Sequence, residues 1–261
     1  MIHEVFGYNC EEQLGIIMDL VQDYPFVTMD TEFPGTVARP LADFETQLNF
    51  QYQTLRLNVD LLKLIQLGIT LTDEHGRTPH DHNPKIPSAW QFNFKFNLDN
   101  DMYSQSSIDL LTKSGLNFGK HDLYGIDVLE FGSLLISSGL VLNNEVNWIG
   151  FHASYDIGYL LKVLQDCPLS KYHESFFDTM HLFFPNFYDI KYLMRYCKNL
   201  KGGLQDLGDE MRIPRVGIQH QAGSDALLTA QCFHRIKDVY FDGYVEETFK
   251  GYLYGLESYS E

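Results

Sequence analysis

Hydrophobic residues recur along the chain with two periods, about 3.6 and two residues, so the pattern predicts helices and strands in alternation. Strands are predicted over residues 26–33, 65–74, 90–98 and 146–152, with a short strand or strand–helix junction over residues 187–193. Helices are predicted over residues 10–24, 51–65, 106–115, 127–139, 154–166, 202–211 and 224–241. In the run WQFNFKFNL, large apolar residues alternate with polar ones, which is typical of a half-buried antiparallel strand.

Three strands come early and the later strands are interleaved with helices, an order that predicts an α/β fold with a mixed central sheet flanked by helices. No internal repeat and no linker rich in Pro, Gly or Ser divides the chain, so we expect residues 1–261 to form a single domain. Residues 74–89 are predicted to be a surface loop. Its three histidines, His75, His80 and His82, are expected to be solvated, with metal binding as the alternative.

Composition narrows the class of protein. The hydrophobic fraction of 44% excludes disorder, and the net charge of −16 argues against a protein that wraps nucleic acid by charge alone. The four cysteines have no C-x-x-C pair and no zinc-type spacing, so we expect reduced thiols. Neither a signal peptide nor an apolar run long enough to span a bilayer is visible, which indicates the cytoplasm or the nucleus and no membrane partner.

The strand predicted over residues 26–33 contains two acids, Asp30 and Glu32, in the sequence MDTEF. Side chains two residues apart on a strand point to the same face. Two carboxylates about 6 Å apart repel by roughly 2–3 kcal/mol at an effective dielectric constant near 20, so a positive partner is expected. A strand end at which both carboxylates reach water is the alternative, and Pro34 and Gly35 follow directly.

Two further acids lie where helices are predicted to begin. Asp156 follows the strand over residues 146–152, and Asp225 falls in the first turn of the last predicted helix, five residues after His220. Each acid alone could stabilise a helix N-terminus through the helix dipole. Together with Asp30 and Glu32 they form a set of oxygen ligands that suits hard divalent cations.

The set Asp30, Glu32, Asp156 and Asp225, with His220 five residues before the last aspartate, resembles the DEDD exonucleases, whose fold is ribonuclease H-like. Longer segments, including MDTEFPG, NVDLLKLIQLG, FYDIKYLM, CKNLKGGLQ and HQAGSDALLT, resemble the CAF-one (POP-two) deadenylases, the exonuclease subunits of the CCR–NOT complex. The similarity covers nearly the whole chain, and none of the five positions departs from the family pattern.

The resemblance implies a 3′-to-5′ exoribonuclease that shortens the poly(A) tails of mRNA and releases 5′-AMP. Asp30 would bridge two divalent ions, Glu32 would bind one of them, and Asp156 and Asp225 would complete the ligand shells. His220 would be the general base for the attacking water. The ions would be Mg²⁺ or Mn²⁺, with Zn²⁺ as an alternative that the ligand types do not exclude.

Other residues are expected to hold the RNA. The segment KYLMRYCKNLKGG carries four basic residues and no acid, and we expect Lys198 and Lys201 to contact tail phosphates; a solvated helical face is the alternative. Phe33 would stack on the terminal nucleoside or serve as a core residue. Asp189 would support the site without binding a metal ion.

The resemblance also implies two protein partners, the NOT scaffold subunit and a second deadenylase. Two other functions stay open at this stage. One is a DEDD nuclease that acts on DNA or short oligoribonucleotides, and the other is a nuclease fold that serves as a scaffold.

Overall fold

The computed structural model describes residues 1–41 and 44–256, and its strands form one mixed sheet in the order β1-β4-β3-β2-β5-β6. The strands are β1 Ile2–Val5, β2 Phe26–Glu32, β3 Gln66–Thr72, β4 Ala89–Asn93, β5 Asn147–Gly150 and β6 Asn186–Asp189. The pairs β2–β3 and β3–β4 are antiparallel, whereas β1–β4, β2–β5 and β5–β6 are parallel. This sheet confirms the predicted mixed α/β architecture.

Helices cover both faces of the sheet. They are α1 Cys10–Leu20, α2 Gln47–Leu61, α3 Pro79–His82, α4 Gln105–Lys113, α5 Phe118–Tyr124, α6 Val128–Ser137, α7 Ser154–Gln165, α8 His173–Phe183, α9 Ile190–Leu193, α10 Leu204–Glu210 and α11 Ala222–Tyr240. The larger hydrophobic core lies between the sheet and α1, α2, α6 and α7, and a second core lies under α11. None of the helices in the described part of the chain is both long enough and apolar enough to cross a membrane.

Several local predictions need correction. The predicted half-buried strand over residues 90–98 is shorter, ends at Asn93, is buried along its whole length and pairs with a parallel neighbour on one side. Strand β1 and helices α5 and α8 were not predicted. The loop at residues 74–89 contains the one-turn helix α3, and the His80 Nδ1 lies 2.7 Å from the Ile86 carbonyl oxygen.

Residues of β2 alternate between the two cores. Val27 and Met29 belong to the larger core, whereas the Thr28 hydroxyl donates to the Ala226 carbonyl of α11 at 3.0 Å. Asp30 and Glu32 share the parity of Thr28, so both carboxylates lie on the face that α11 covers. The repulsive pair therefore faces the first turn of α11, not the larger core.

Helix α11 approaches this face closely because β3 has a glycine there. Gly68 pairs with Asp30 across the sheet, and a Cβ atom on Gly68 would lie 1.9 Å from the Ala222 carbonyl oxygen. The first backbone N–H groups of α11 are satisfied by the sheet: Ala222 N–H donates to Gln66 Oε1 at 3.3 Å, and Gly223 N–H donates to Gln91 Oε1 at 3.0 Å. The sheet thereby fixes the helix turn that carries Asp225.

The substitution Gly68→Ala tests this close approach. The added methyl group cannot fit without moving the first turn of α11, so we expect the free energy of unfolding in urea to fall by about 1–3 kcal/mol. Gly15→Ala is the matched control, because a Cβ at that position in α1 would meet no atom within 4 Å outside the adjacent helix backbone. The control should be neutral or stabilising by up to about 1 kcal/mol. Equal stability of the Gly68 variant and the wild type would contradict the packing described here.

Candidate active site

The four predicted carboxylates converge where β2 ends. Asp30 and Glu32 project from β2, Asp156 lies in the first turn of α7, and Asp225 lies in the first turn of α11. Nitrogen or oxygen atoms of Glu32, His220 and Asp225 lie within 4.8 Å of one another. The structure therefore brings together residues that are up to 195 positions apart in the chain.

Asp156 reaches β2 because the neighbouring strand ends early. Strand β5 stops at Gly150, so its pairing with β2 extends only to Thr28 and leaves Thr31 without a partner in β5. The Oδ1 atom of Asp156 accepts the Thr31 N–H at 2.8 Å and also accepts the Thr31 hydroxyl. These two hydrogen bonds place the Asp156 carboxylate beside the strand segment that carries Asp30 and Glu32.

Asp225 has a different set of partners. Its Oδ1 pairs with the Arg215 guanidinium, and its Oδ2 accepts the backbone N–H of His220 at 3.0 Å. His220 has a left-handed backbone, with φ of 62°, which directs this N–H toward the start of α11. The Asp225 carboxylate thus holds both the backbone of His220 and the guanidinium of Arg215 at the site.

The pKa values of these acids reflect their crowding. Burial, followed by repulsion from Asp225 and Asp156, raises the pKa of Glu32 to about 8. The pKa of Asp30 is raised well above its usual range, first by burial and then by repulsion from its acidic neighbours. Burial raises the pKa of Asp156 to about 6, although its hydrogen bonds from Thr31 act in the opposite direction. Arg215 only partly offsets the effect of burial on Asp225, whose pKa is also raised.

These residues fit a pair of divalent cations. Their ligand atoms are carboxylate oxygens, which hard cations prefer. The raised pKa values indicate that the positive side chains of the protein do not balance the negative charge of the cluster. A bound cation would favour the ionised form of each acid.

Asp189 is buried and organises the backbone at the start of α7, the helix that carries Asp156. Its carboxylate accepts the N–H groups of His152 at 2.8 Å, Ala153 at 3.2 Å, Lys191 at 2.9 Å and Tyr254 at 3.0 Å. These bonds join the start of α7 to α9 and to the C-terminal segment. The arrangement suits the predicted supporting role, which stays a prediction.

The residues expected to hold RNA differ in their exposure and in their local structure. Phe33 is half-buried, and its ring packs against Tyr155 and Tyr159, with centroids 5.2 Å and 5.1 Å away, so part of the ring is already covered. Lys198 and Lys201 are exposed. They do not lie on one helical face, because α9 passes into a 3-10 turn, Met194–Tyr196, and residues 197–203 are irregular. The helical part of the alternative is therefore wrong for these two lysines, whereas their exposure agrees with a solvated surface.

Arg215 is the residue of the site that the sequence did not reveal. It lies ten residues before Asp225 in an irregular segment, where no periodicity predicts the direction of a side chain. The only available signal was the general need of clustered acids for a positive partner.

A mixed sheet with acids from β2, α7 and α11 converging at one end defines the class of ribonuclease H-like exonucleases. Exonuclease I of E. coli shares this fold, with a TM-score of 0.55 and 14% identity over 83% of this chain and 41% of that chain. The CAF1 family ribonuclease model matches residues 5–130. The poly(A) ribonuclease pop2 of Schizosaccharomyces pombe is 50% identical over 257 residues, which are 98% of this chain and 75% of that protein. This chain belongs to the CAF1 family of ribonucleases.

Solved structures agree with that assignment. The Mg²⁺- and Mn²⁺-bound form of S. pombe Pop2p matches with a TM-score of 0.94 and 50% identity, over 98% of this chain and 99% of that chain. The yeast CAF1 structure co-crystallized with the NOT1 MIF4G domain gives a TM-score of 0.83 and 34% identity, over 97% of this chain and 96% of that chain.

The raised pKa values predict how stability depends on pH when cations are absent. The folded protein binds protons more tightly than the unfolded chain at Glu32, so this group stabilises the fold most below pH 4.5 and loses that contribution as the pH rises through about 8. In EDTA, we therefore expect Tm to fall between pH 6 and pH 8. Glu32→Gln should flatten this dependence and raise Tm at pH 8 by about 2–4 °C.

Glu145→Gln is the control for this experiment, because Glu145 is exposed. It should follow the wild-type curve. A wild-type Tm that does not change over this pH range, or a Glu32→Gln variant that matches it, would show that the carboxylates are not crowded as described.

Proposed function

We propose that this chain is a poly(A)-specific 3′-to-5′ exoribonuclease that shortens mRNA tails and releases 5′-AMP. The observation that carries the proposal is the convergence of Asp30, Glu32, Asp156 and Asp225 beside His220 at the end of β2. The 50% identity to a protein named poly(A) ribonuclease supports the choice of substrate. Residues 1–261 would act as one exonuclease domain, although residues 42–43 and 257–261 lie outside the described residues.

The four carboxylates would hold two divalent cations, and the Pop2p relative with bound Mg²⁺ and Mn²⁺ supports these metals. When bound, such a pair makes a nucleophile from water and stabilises the charge that develops on the leaving oxygen. Besides burial, the charges of Asp225, Asp156 and Glu32 raise the pKa of Asp30, so all three acids lie close enough to act on it. It would therefore contribute to both ion sites.

His220 would take the proton of the attacking water. Its ring lies within reach of Glu32 and Asp225, and its backbone is fixed by the N–H bond to Asp225. The ring nitrogens of a neutral imidazole can accept a proton, as a general base must. The two bonds from Thr31 orient Asp156, and Asp189 fixes the turn from which Asp156 projects.

The RNA would be held near its 3′ end. The half-buried ring of Phe33, supported by Tyr155, would contact the terminal nucleoside with its uncovered part. Lys198 and Lys201 would contact phosphates farther along the tail, and their exposure permits this. Few such contacts are needed, in keeping with the net charge of −16.

The chain would also work within an assembly. The structure of yeast CAF1 with the NOT1 MIF4G domain supports a NOT scaffold as one partner. A second deadenylase subunit is proposed from the family resemblance. The free thiols of Cys10, Cys167, Cys197 and Cys232 support a reducing compartment, the cytoplasm or the nucleus.

Activity on a defined RNA tests the proposal. With Mg²⁺ or Mn²⁺, a 5′-labelled RNA ending in adenosines should give a ladder of products shortened one nucleotide at a time, and EDTA should abolish it. Asp30→Ala should remove the ladder without unfolding the protein, whereas the exposed control Asp19→Ala should keep full activity. His220→Gln should slow the reaction by about 10²–10⁴-fold, the usual contribution of a general base. Full activity of Asp30→Ala would contradict the proposal.

A 2′-deoxy nucleotide at the 3′ terminus separates this function from a general DEDD nuclease. We expect the deoxy substrate to be degraded more slowly, because an RNA-selective pocket contacts the 2′-hydroxyl. Equal rates on RNA and DNA would favour the broader nuclease. No activity on any nucleic acid, with cation binding intact, would favour a scaffold.

The two proposed phosphate contacts are tested by salt dependence. The double variant Lys198→Ala and Lys201→Ala should raise KM and lower the slope of log KM against log salt by about 0.7 per lost contact. Lys85→Ala is the control, because Lys85 precedes β4 at the end of the sheet opposite Glu32. If both variants change the slope equally, the two lysines do not bind the tail.

A further inference from the structure

The steps proposed above do not involve the ion pair between Arg215 and Asp225. This pair nevertheless uses a carboxylate oxygen of Asp225 that could bind a metal ion. Arg215 contacts Asp225 Oδ1, and the His220 N–H contacts Oδ2, so both oxygens of this carboxylate already have a partner. A cation that uses Asp225 must share or displace one of them. Arg215 is therefore placed to influence how tightly the site binds metal ions.

The guanidinium is fixed in this position. Its Nε donates to Gln205 Oε1 at 2.6 Å, and its Nη1 donates to Ser224 Oγ at 3.1 Å. The side chain is only 11% exposed. Because α10 and α11 both hold the group, its positive charge stays beside the carboxylates instead of moving into solvent.

The segment that carries Arg215 also fits closely against α11. Gly217 has φ of 93°, and a Cβ there would lie 3.0 Å from the Ser224 Cβ. Gly217 lies between Arg215 and His220, so the close fit at this glycine helps to fix both side chains relative to Asp225. The segment thus presents a cation and a histidine to the same carboxylate.

The ion pair affects the net charge of the site when cations are bound. Four ionised carboxylates, two divalent cations and Arg215 leave one net positive charge, which matches the single negative charge of a phosphodiester. Without Arg215 the loaded site would be neutral. A fixed positive charge a few ångströms from a divalent ion also weakens the binding of that ion.

We propose that Arg215 is a positioning residue that lowers the affinity of the site for divalent cations and leaves the loaded site positive for the substrate phosphate. The proposal rests on the function proposed above. This role and a purely structural role predict opposite changes in cation affinity when Arg215 is removed. A residue that only held Asp225 in place would weaken cation binding when removed, whereas loss of a competing charge would strengthen it.

Calorimetric titration of the RNA-free protein with Mn²⁺ decides between these roles. Arg215→Gln should bind Mn²⁺ more tightly, by about tenfold or more, because the repulsive charge is gone. Arg215→Lys keeps the charge and should stay within about threefold of the wild type. Arg212→Gln, which removes an exposed positive charge from the same segment, should bind like the wild type. If Arg215→Gln does not fold, Arg215→Met, which keeps the packing of the stem, replaces it.

Weaker or unchanged Mn²⁺ binding by the neutral variant would overturn the inference. Kinetics supply a second readout: the neutral variant should show a raised KM for RNA at saturating Mn²⁺, and the Lys variant should restore it. If the wild type neither binds Mn²⁺ nor degrades RNA, the proposed function fails together with this inference. If the wild type does both and the neutral variant does not bind Mn²⁺ more tightly, only the role of Arg215 is wrong.

Discussion

Mutual repulsion among acids that lie together, two of them buried and two half-buried, is the constraint on which the rest of the structure depends. Burial raises the pKa values of Asp30, Glu32 and Asp225, and acidic neighbours raise those of Asp30 and Glu32 further, so the fold keeps these groups together against their own electrostatics. A protein selected only for stability would separate or neutralise them. The cluster is best explained as a site that divalent cations complete. Its repulsion lowers the stability of the fold, as is common at functional sites.

Contacts in the surrounding structure hold the acids in place. Gly68 lets α11 lie directly on the sheet, the early end of β5 leaves the Thr31 N–H for Asp156, and Asp189 ties the start of α7 to two other segments. Each of these contacts acts on the backbone around a carboxylate. Arg215 acts instead on a carboxylate by charge, and it therefore links the geometry of Asp225 to the affinity of the site.

The sequence predicted those features of the site that follow from local periodicity. The D-x-E spacing on a strand placed Asp30 and Glu32 on one face, and the helical patterns placed Asp156 and Asp225 in first turns. The features it missed depend on contacts distant in the chain. Gly68 meets Ala222, and Phe33 packs on Tyr155, but neither pairing has a local signature. Strand β1 has only four residues at the sheet edge, too few for alternation to reveal.

A crystal of this protein soaked in Mn²⁺ and measured at the manganese absorption edge tests the central claim most directly. The account predicts two anomalous peaks about 3.5–4 Å apart at the end of β2, with Asp30 touching both and Asp156 and Asp225 each touching one. A map without peaks in this cluster, with Asp156 and Asp225 turned away from Glu32, would contradict it.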